Sequence, residues 1–256
     1  MKEILLEVEH LTKKFQTGGR SFAAVEDVSF TLQRGSCLGL VGESGSGKTT
    51  VARMLSHFLE PDFGKIYLQG EEITHAKGKT LRDVYGKLQM VFQNPAASFD
   101  SKRTLGDGVG EPLRNRGMAS QEVKKRVAEL LEKCGLPAEY AGRCPHQVSG
   151  GQCQRAAIAR ALAVSPSVLI CDEALSALDE EVQSQILQLL GRLKTEENLA
   201  ILFICHDLRL VQALCDEVLV LYGGRVVDRG STAEVLSHPT SEYTKKLLES
   251  ARWLAH

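Results

Sequence analysis

The chain has 256 residues, of which 43% are hydrophobic and 25% charged, and its net charge is -1 at pH 7. This balance is typical of a globular protein and gives no bulk attraction to nucleic acid or other polyanions. Apolar runs such as 199–205 fall far short of the roughly 18 residues of a membrane span, and the strand-like N-terminus lacks a secretion signal. We therefore expect any membrane role to depend on a partner.

The first part of the chain predicts a strand, a loop and a helix in succession. Residues 28–32 alternate between apolar and polar side chains, as in a half-buried strand, and residues 37–41 form a compact apolar run. A glycine-rich segment follows at 42–47, and a helical pattern extends over 48–59. This order of elements is the one that a phosphate-binding loop requires.

The rest of the chain alternates between helices and buried strands. Residues 93–141 lack strand signals and predict a helical insertion, and an alanine-rich helix extends from Ser149 toward Val164. Buried strands are predicted at 168–171 and 199–205, with an amphipathic helix at 182–193 between them. Such alternation favours a mainly parallel sheet that is covered by helices on both faces.

Two other patterns concern the hairpin and the cysteines. Gly223-Gly224 lies between strand-like residues 218–221 and 225–227, which predicts a two-residue hairpin turn. The seven cysteines are scattered and form no C-x-x-C pair. We expect them to be reduced thiols, with Cys171 and Cys205 acting as small core residues.

The segment from Gly42 to Thr49 has the spacing of a phosphate-binding loop. Its three glycines let the backbone turn tightly, so that successive N–H groups point at phosphate oxygens. Lys48 places a cation between the terminal phosphates, Thr49 supplies a hydroxyl ligand for Mg²⁺, and the helix N-terminus faces the same phosphates. The residues expected to bind the nucleotide here are Gly42, Ser44, Gly45, Ser46, Gly47, Lys48, Thr49 and Thr50.

Two adjacent carboxylates end the predicted strand at 168–171. Asp172 suits coordination of Mg²⁺, directly or through water, and Glu173 can polarise the water that attacks a γ-phosphate. Strands often end in acidic residues, so the pair alone indicates little. Its position downstream of a phosphate-binding loop makes it a strong indication of nucleotide hydrolysis.

The segment Val148-Ser149-Gly150-Gly151-Gln152 resembles the signature motif of the ATP-binding cassette (ABC) family, which usually reads Leu-Ser-Gly-Gly-Gln. A serine hydroxyl, glycine amides and a helix N-terminus form a second anion site. Because Lys48 already holds the γ-phosphate of the chain's own nucleotide, a second site suggests use by another subunit. In the family, two cassettes close head to tail around two ATP molecules. The resemblance therefore implies that Ser149, Gly150, Gly151 and Gln152 bind the partner's ATP.

Four further positions match family elements, and their roles come from the resemblance alone. Gln93 matches the glutamine loop that senses Mg²⁺ and contacts the membrane subunit, and His206 matches the switch histidine at the γ-phosphate. Asp179 matches the loop that crosses the dimer interface, and Phe15 stands where an aromatic ring stacks on adenine. The implied catalytic residues are Lys48, Gln93, Glu173 and His206, and the implied Mg²⁺ ligands are Thr49, Gln93 and Asp172.

The resemblance implies an α/β fold of the P-loop NTPase (RecA-like) type. It has a mainly parallel sheet core, an N-terminal antiparallel β subdomain and an inserted α-helical subdomain. We expect one ATPase domain over residues 1–256. Its core comprises residues 1–93 and 162–235. Its helical subdomain, which contains the signature, comprises residues 94–161, and a short polar tail comprises residues 236–256.

Finer features resemble the importers of dipeptides, oligopeptides and nickel, in the segments 91–99, 144–149 and 238–248. The chain stops soon afterwards and no cysteine follows Cys215, which favours the compact nickel or metal-chelate members without deciding the substrate. The resemblance implies two membrane-spanning permease subunits, a second cassette (a heterodimer rather than a homodimer) and, indirectly, a solute-binding protein. It places the chain peripherally at the cytoplasmic face of the inner or plasma membrane.

Two rival functions share the nucleotide motifs and stay open at this point. One is a cassette ATPase that powers an exporter, and the other is the non-transport cassette subunit of the phosphonate-cleaving complex. Translation factors with two cassettes and repair clamps with long coiled-coil insertions do not fit 256 residues. The presence of Glu173 and His206 argues against a module that has lost hydrolysis.

Overall fold

The computed structural model describes residues 2–17 and 20–253, and two sheets organise that part of the chain. The strands are β1 (Ile4–Thr17), β2 (Arg20–Gln33), β3 (Cys37–Val41), β4 (Phe63–Leu68), β5 (Glu71–Glu72), β6 (Leu88–Val91), β7 (Val168–Asp172), β8 (Ala200–Cys205), β9 (Glu217–Tyr222) and β10 (Arg225–Ser231). The helices are α1 (Lys48–Leu55), α2 (Gly78–Lys87), α3 (Leu105–Asn115), α4 (Ser120–Lys133), α5 (Gly150–Leu162), α6 (Glu180–Glu196), α7 (Leu208–Leu214), α8 (Thr232–Ser237) and α9 (Glu242–Trp253).

The larger sheet has the strand order β10-β9-β3-β8-β7-β6. Its inner strands pair in parallel, and only β10 pairs with β9 in the antiparallel sense. The smaller sheet, β2-β1-β4-β5, is antiparallel throughout. The predicted fold class, a mainly parallel core with an N-terminal antiparallel subdomain and helices in the insertion, is therefore confirmed.

The larger sheet is buried on both faces, as its uninterrupted apolar strands predict. On β3, Leu38 and Leu40 point into a core shared with α1 and the antiparallel sheet. Cys37 and Val41, on the opposite face, belong to a second core formed with the helices α3 to α7. The alternation of side chains along a strand thus divides one short segment between two cores.

Helix α1 ends at Leu55, four residues earlier than the sequence predicts. His57 adopts the left-handed conformation (φ 57°), and the N–H groups of Phe58 and Leu59 donate to the Arg53 carbonyl. A left-handed residue just after the last turn ends a helix because it redirects the chain. Helix α5 likewise ends at Leu162 rather than at Val164.

The hairpin at Gly223-Gly224 is confirmed. Tyr222 pairs with Arg225, and both glycines have positive φ, 56° and 81°. Two positive φ values are those of a type I′ turn, which suits the twist of the paired strands.

The cysteine predictions also agree with the structure. All seven cysteines are free, and Cys171 and Cys205 are buried in their strands.

The segment expected to be a short polar tail contains α9, whose apolar side is docked on the protein. Tyr243, Leu247 and Leu248 pack against the second core. Their spacing places them on one side of the helix, which explains why this segment packs. Over residues 2–17 and 20–253, the structure contains no helix long and apolar enough to cross a membrane.

Candidate functional site

Three loops meet at the carboxyl edge of the larger sheet. In the register of the sheet, Val41 lies opposite Cys205, and Asp172 lies opposite Ile204. The segments that follow β3, β7 and β8 therefore leave the sheet side by side. A cavity of about 590 Å³ opens there, lined among others by Gly42, Glu43, Ser44, Glu173 and His206. The structure thus brings the start of the phosphate-binding loop, Glu173 of the acidic pair and the histidine to one cavity.

Two glycines give the phosphate-binding loop its shape. Gly42 and Gly47 have φ values of 154° and 108°. A Cβ atom would lie 2.2 Å from the Leu221 carbonyl oxygen at Gly42, and 2.3 Å from the Ala24 carbonyl oxygen at Gly47. A side chain at either position would collide with backbone, so the loop can lie this close to β2 and β9 only with glycine there. The turn also bonds to the hairpin, because the N–H of Gly224 donates to the Ser46 carbonyl.

Lys48 begins α1 and is almost fully buried, with 3% of its surface exposed. Its Nζ donates to the carbonyls of Gly42 and Glu43, each at 2.8 Å. Burial lowers the pKa of Lys48, and the carboxylate of Glu173 opposes that shift. The ammonium group is therefore held inside the loop, where it would face the phosphates that the backbone N–H groups bind. Thr49 and Thr50 follow in the first turn of α1.

Thr49, in the first turn of α1, forms a pair with Asp172, the last residue of β7. The Thr49 hydroxyl donates to an oxygen of Asp172 at 3.3 Å. Burial raises the pKa of Asp172, and the hydrogen bond from Thr49 opposes that rise. A hydroxyl and a carboxylate oxygen side by side are ligands that Mg²⁺ prefers, usually together with phosphate oxygens and water. In the described part of the chain there is no cluster of three acidic, histidine or cysteine groups that could hold a metal without such help.

Glu173 follows β7 in the left-handed conformation (φ 47°). Its N–H donates to the Ile204 carbonyl, and its carbonyl accepts from the Ser176 hydroxyl at 3.0 Å. Ser176 also accepts a hydrogen bond from the Gln93 amide at 3.2 Å. Gln93 follows β6 and is solvent-exposed. Ser176 therefore links the glutamine to the acidic segment, a connection that the sequence did not reveal.

His206 lies at the end of β8 with its side chain exposed toward the cavity. The next residue, Asp207, caps α7 by accepting from the Arg209 N–H at 2.8 Å and pairs with the Arg209 guanidinium. Burial raises the pKa of Asp207, but the hydrogen bonds from Arg209 outweigh it and leave that pKa below its usual value. The cap fixes the direction of the chain just after the histidine.

The signature segment lies outside the cavity of its own chain. Ser149 is the N-cap of α5, accepts a hydrogen bond from the Gln152 N–H and donates its own N–H to the Gln152 side chain. Gly150 is exposed, whereas Gly151 packs against Val182. Asp179, exposed as well, caps α6 through the Val182 N–H. The structure does not bring these residues to the chain's own phosphate-binding loop.

Phe15, the predicted adenine-stacking residue, lies on β1 opposite Phe22 of β2. The two ring centroids are 5.9 Å apart, and half of the Phe22 side chain is exposed. Phe22 lies two residues before Ala24, whose carbonyl is close to Gly47. The two aromatic rings are therefore about 7 Å along the strand from the phosphate-binding loop. Phe22 is therefore a second candidate for stacking on adenine, and the sequence did not indicate it.

A second unpredicted contact comes from the C-terminal helix. The Tyr243 hydroxyl oxygen accepts a hydrogen bond from the Glu43 backbone N–H at 2.8 Å. The two residues are 200 positions apart. The only signal in the sequence was the amphipathic spacing of Tyr243, Leu247 and Leu248.

Comparisons with known proteins identify a family and several relatives. The sequence model of a family described as "ABC transporter" matches residues 25–176. The oligopeptide transport ATP-binding protein OppF of Bacillus subtilis is 42% identical over 253 residues, which cover 98% of this chain and 83% of that protein. The dipeptide transport ATP-binding protein DppF of Haemophilus influenzae is 42% identical over 228 residues, which cover 89% of this chain and 70% of that protein.

A solved structure shows the same fold. It is the dimeric structure of a post-hydrolysis state of the ATP-binding cassette MJ0796, bound to ADP and Pi. The TM-score is 0.82 at 28% identity, and the match covers 89% of this chain and 99% of that one.

Proposed function

The chain belongs to the ABC transporter family, and from that membership we propose that it is the ATP-hydrolysing subunit that energises an importer of peptides. The observation that carries the proposal is the single cavity in which the phosphate-binding loop, Glu173 and His206 meet. The names of the relatives indicate the class of transported substrate, since OppF and DppF are named for oligopeptide and dipeptide transport.

The residues of the cavity act by positioning and electrostatics. The glycine loop and Lys48 bind the phosphates and oppose the charge that develops on the γ-phosphate in the transition state. Glu173 orients a water molecule and accepts its proton, and His206, which follows the neighbouring strand β8, holds the γ-phosphate. Thr49 and Asp172 would hold Mg²⁺, which supplies further positive charge to the phosphates when it is bound, and the sequence resemblance adds Gln93 as a third ligand.

The signature segment completes the site of a second cassette. Ser149 uses its oxygen to cap α5, which leaves the hydroxyl proton free to donate to a phosphate. The N-terminus of α5 adds a partial positive charge at the same place. Because this segment lies outside the chain's own cavity, we infer a head-to-tail dimer in which each cassette closes over the other's ATP. A heterodimer is the arrangement that the sequence resemblance favours.

An aromatic groove near Gln93 is suited to a membrane subunit. Phe58 and Phe92 are 61% and 36% exposed, and their ring centroids are 6.0 Å apart. They line a cavity of about 220 Å³ together with Tyr85 and Arg160. Exposed aromatic rings of this kind mark protein interfaces. We assign the groove to a permease subunit, which would hold this chain at the cytoplasmic face of the membrane.

Peptides are a better-supported substrate than nickel. The sequence motifs leave both peptide and nickel open as substrates, whereas the relatives described above are named for peptides. The same names, which specify transport, favour a transporter over phosphonate cleavage. Import rather than export is the direction that the sequence resemblance implies. Selection of the peptide would belong to the permease and solute-binding subunits, since the cavity of this chain is built for phosphates.

The proposal is tested with the complete transporter in lipid vesicles. Two permease subunits, this chain, its partner cassette and the solute-binding protein are reconstituted, and ATP hydrolysis is followed with and without peptide. We expect peptide-loaded binding protein to stimulate hydrolysis and peptide to accumulate on the side that faces the cassettes. Stimulation by nickel but not by peptide would contradict the proposed substrate, and movement of peptide in the opposite direction would contradict import.

Substitutions in the groove test the membrane contact. Phe58→Ala and Phe92→Ala should lower copurification with the permease subunits by tenfold or more, because buried aromatic anchors each contribute about 2 kcal/mol or more to an interface. Phe63→Ala is the matched control, since Phe63 is 65% exposed and lies on β4, outside the groove. Equal losses for all three variants would contradict the assignment.

A further inference from the structure

The C-terminal helix is held to the protein at its N-terminal end by Asp228 of β10. That carboxylate is 7% exposed. It accepts from the Thr240 hydroxyl at 2.6 Å, from the Thr240 N–H at 3.1 Å and from the Ser241 N–H at 2.9 Å. Hydrogen bonds to a charged acceptor are among the stronger ones in proteins. The start of α9 is therefore fixed in position and direction.

From this point α9 presents Tyr243 to the phosphate-binding loop. The Tyr243 ring stacks on Tyr222, the last residue of β9, with centroids 4.3 Å apart and an angle of 30° between the rings. The stack leaves the hydroxyl oxygen beside the Glu43 N–H, from which it accepts at 2.8 Å. Burial raises the pKa of Tyr243, so the hydroxyl stays neutral at physiological pH.

The same helix forms part of the wall of the cavity. Leu247 and Ser250, one and two turns beyond Tyr243, line it together with Glu173 and His206. Thus α9 reaches the proposed nucleotide site twice, once through the hydrogen bond to Glu43 and once through the wall. Glu43 itself lies between Gly42 and Ser44, and its carbonyl accepts from Lys48.

We propose that Tyr243 is a positioning residue for the phosphate-binding loop: its hydroxyl oxygen fixes the Glu43 peptide, and α9 thereby becomes part of the nucleotide site. This rests on the proposed function in one respect, that the loop binds ATP. A fixed Glu43 peptide keeps its carbonyl aligned with the Lys48 ammonium. It also keeps the neighbouring backbone N–H groups of the loop aligned with the phosphates. Docking of α9 and binding of nucleotide must then favour each other, since coupling between two equilibria is reciprocal.

The test compares Tyr243→Phe with Tyr222→Phe in the full chain. Tyr243→Phe removes the accepting oxygen and keeps the stacked ring. Tyr222→Phe removes the other hydroxyl of the same stack, which makes no hydrogen bond with residues 2–17 or 20–253. Affinity for ATP with Mg²⁺ is measured by titration calorimetry. We expect Tyr243→Phe to bind roughly 2- to 10-fold more weakly, the range that the loss of one hydrogen bond produces, and Tyr222→Phe to bind like the wild type.

Two further readouts separate positioning from a purely structural role. In the assembled transporter, Tyr243→Phe should raise the KM for ATP with kcat within about twofold, and its thermal midpoint should match that of Tyr222→Phe. In hydrogen exchange, ATP should slow exchange of the α9 amides in the wild type and should do so less in Tyr243→Phe. A merely structural role would lower the midpoint and would leave the ATP-dependent protection unchanged.

The outcomes are distinguishable. If the wild-type chain binds ATP and Tyr243→Phe binds it equally well, the inference is wrong while the proposed function stands. An equal loss of ATP affinity in both variants would also overturn the inference, because the stacked rings rather than the hydrogen bond would then position the loop. If the wild-type chain binds no ATP, the proposed function fails and this inference fails with it.

Discussion

Glu173 has a backbone conformation that few residues other than glycine adopt. Its φ of 47° costs of order 1 kcal/mol or more, and such strain is found most often at functional sites. The hydrogen bonds of its N–H to Ile204 and of its carbonyl to Ser176 hold it there. The strained peptide turns the carboxylate away from the sheet and into the cavity, which fits the role of orienting a water molecule.

Replacing Glu173 by Gln tests that role without disturbing the backbone. We expect ATP hydrolysis by the assembled transporter to fall by about 10² to 10⁴, the usual contribution of a general base, because an amide cannot accept the proton of water. Nucleotide binding should change little, since the glycine loop and Lys48 supply it. Phosphate release and equilibrium binding are measured on the same preparation, and unchanged hydrolysis would show that another group is the base.

The loop glycines allow a matched comparison of strain and collision. Gly45 has φ 81° with open space around it, whereas a Cβ at Gly47 would meet the Ala24 carbonyl. Gly45→Ala should lower the free energy of unfolding by about 1–2 kcal/mol, from backbone strain alone. Gly47→Ala should lower it by more than about 3 kcal/mol, because the collision adds to the strain. Denaturant unfolding measures both.

Gly70→Ala is the control for the glycine comparison, since Gly70 has φ 80° in open space far from the loop in sequence. It should match Gly45→Ala in stability. Only Gly45→Ala should also weaken ATP binding. Equal stability losses at Gly45 and Gly47 would mean that the close approach to β2 is not rigid.

At the scale of the element, α9 depends on one buried carboxylate. Burial raises the pKa of Asp228, but the hydrogen bonds from Thr240 and Ser241 outweigh it and leave the pKa below its usual value. A lowered folded-state pKa stabilises the protein above the unfolded value, and that contribution is lost as the pH falls through the folded value. The docking of α9 should therefore be complete at pH 7 and weaken below about pH 4.

Asp228→Ala should release α9 at neutral pH. Loss of an acceptor for buried N–H groups costs about 1–3 kcal/mol, so hydrogen exchange over residues 240–250 should accelerate about tenfold or more while the sheet strands keep their protection. Asp83→Ala is the control, because Asp83 is exposed on α2 and makes no hydrogen bond within the described residues. If exchange in α9 were unchanged, the stack of Tyr243 on Tyr222 would be sufficient to hold the helix.

At the scale of the whole molecule, the two proposed anion sites of the chain are separate. The phosphate-binding loop faces the cavity with Glu173 and His206, whereas Ser149 and Gly150 are exposed at the N-terminus of α5. We propose that a chain with this arrangement binds nucleotide at one site and offers the other to a neighbour. The proposed dimer follows from this separation.

Ser149→Arg tests the separation. The isolated variant should bind ATP with wild-type affinity, because Ser149 does not line the chain's own cavity. In the assembled transporter, hydrolysis at the partner's phosphate-binding loop should fall at least tenfold, since a large side chain replaces the donor to the γ-phosphate. Binding is measured on the isolated chain and hydrolysis on the complex. Weakened ATP binding by the isolated chain would contradict use of the signature by a partner.

The sequence by itself determined which side chains lie at one edge of the larger sheet. The placement of Gly42, Lys48, Asp172 and Glu173 was predictable because a phosphate-binding loop is a local backbone geometry, which glycine spacing encodes, and because an apolar strand delivers its last residues to one edge of the sheet. The parallel sheet and the hairpin at Gly223-Gly224 were predictable for the same reason. The end of α1 was misplaced because a left-handed residue at His57 leaves no compositional signal.

Only the tertiary structure decided which distant segments meet. The contact of Tyr243 with Glu43, the link from Gln93 through Ser176 to Glu173, and the pairing of Phe58 with Phe92 each join residues far apart in the chain. None follows from periodicity, because a helix pattern shows that one side is apolar and does not show what that side will cover. The sequence predicted the phosphate-binding loop, whereas the hydrogen bond between that loop and the C-terminal helix is seen only in the folded structure.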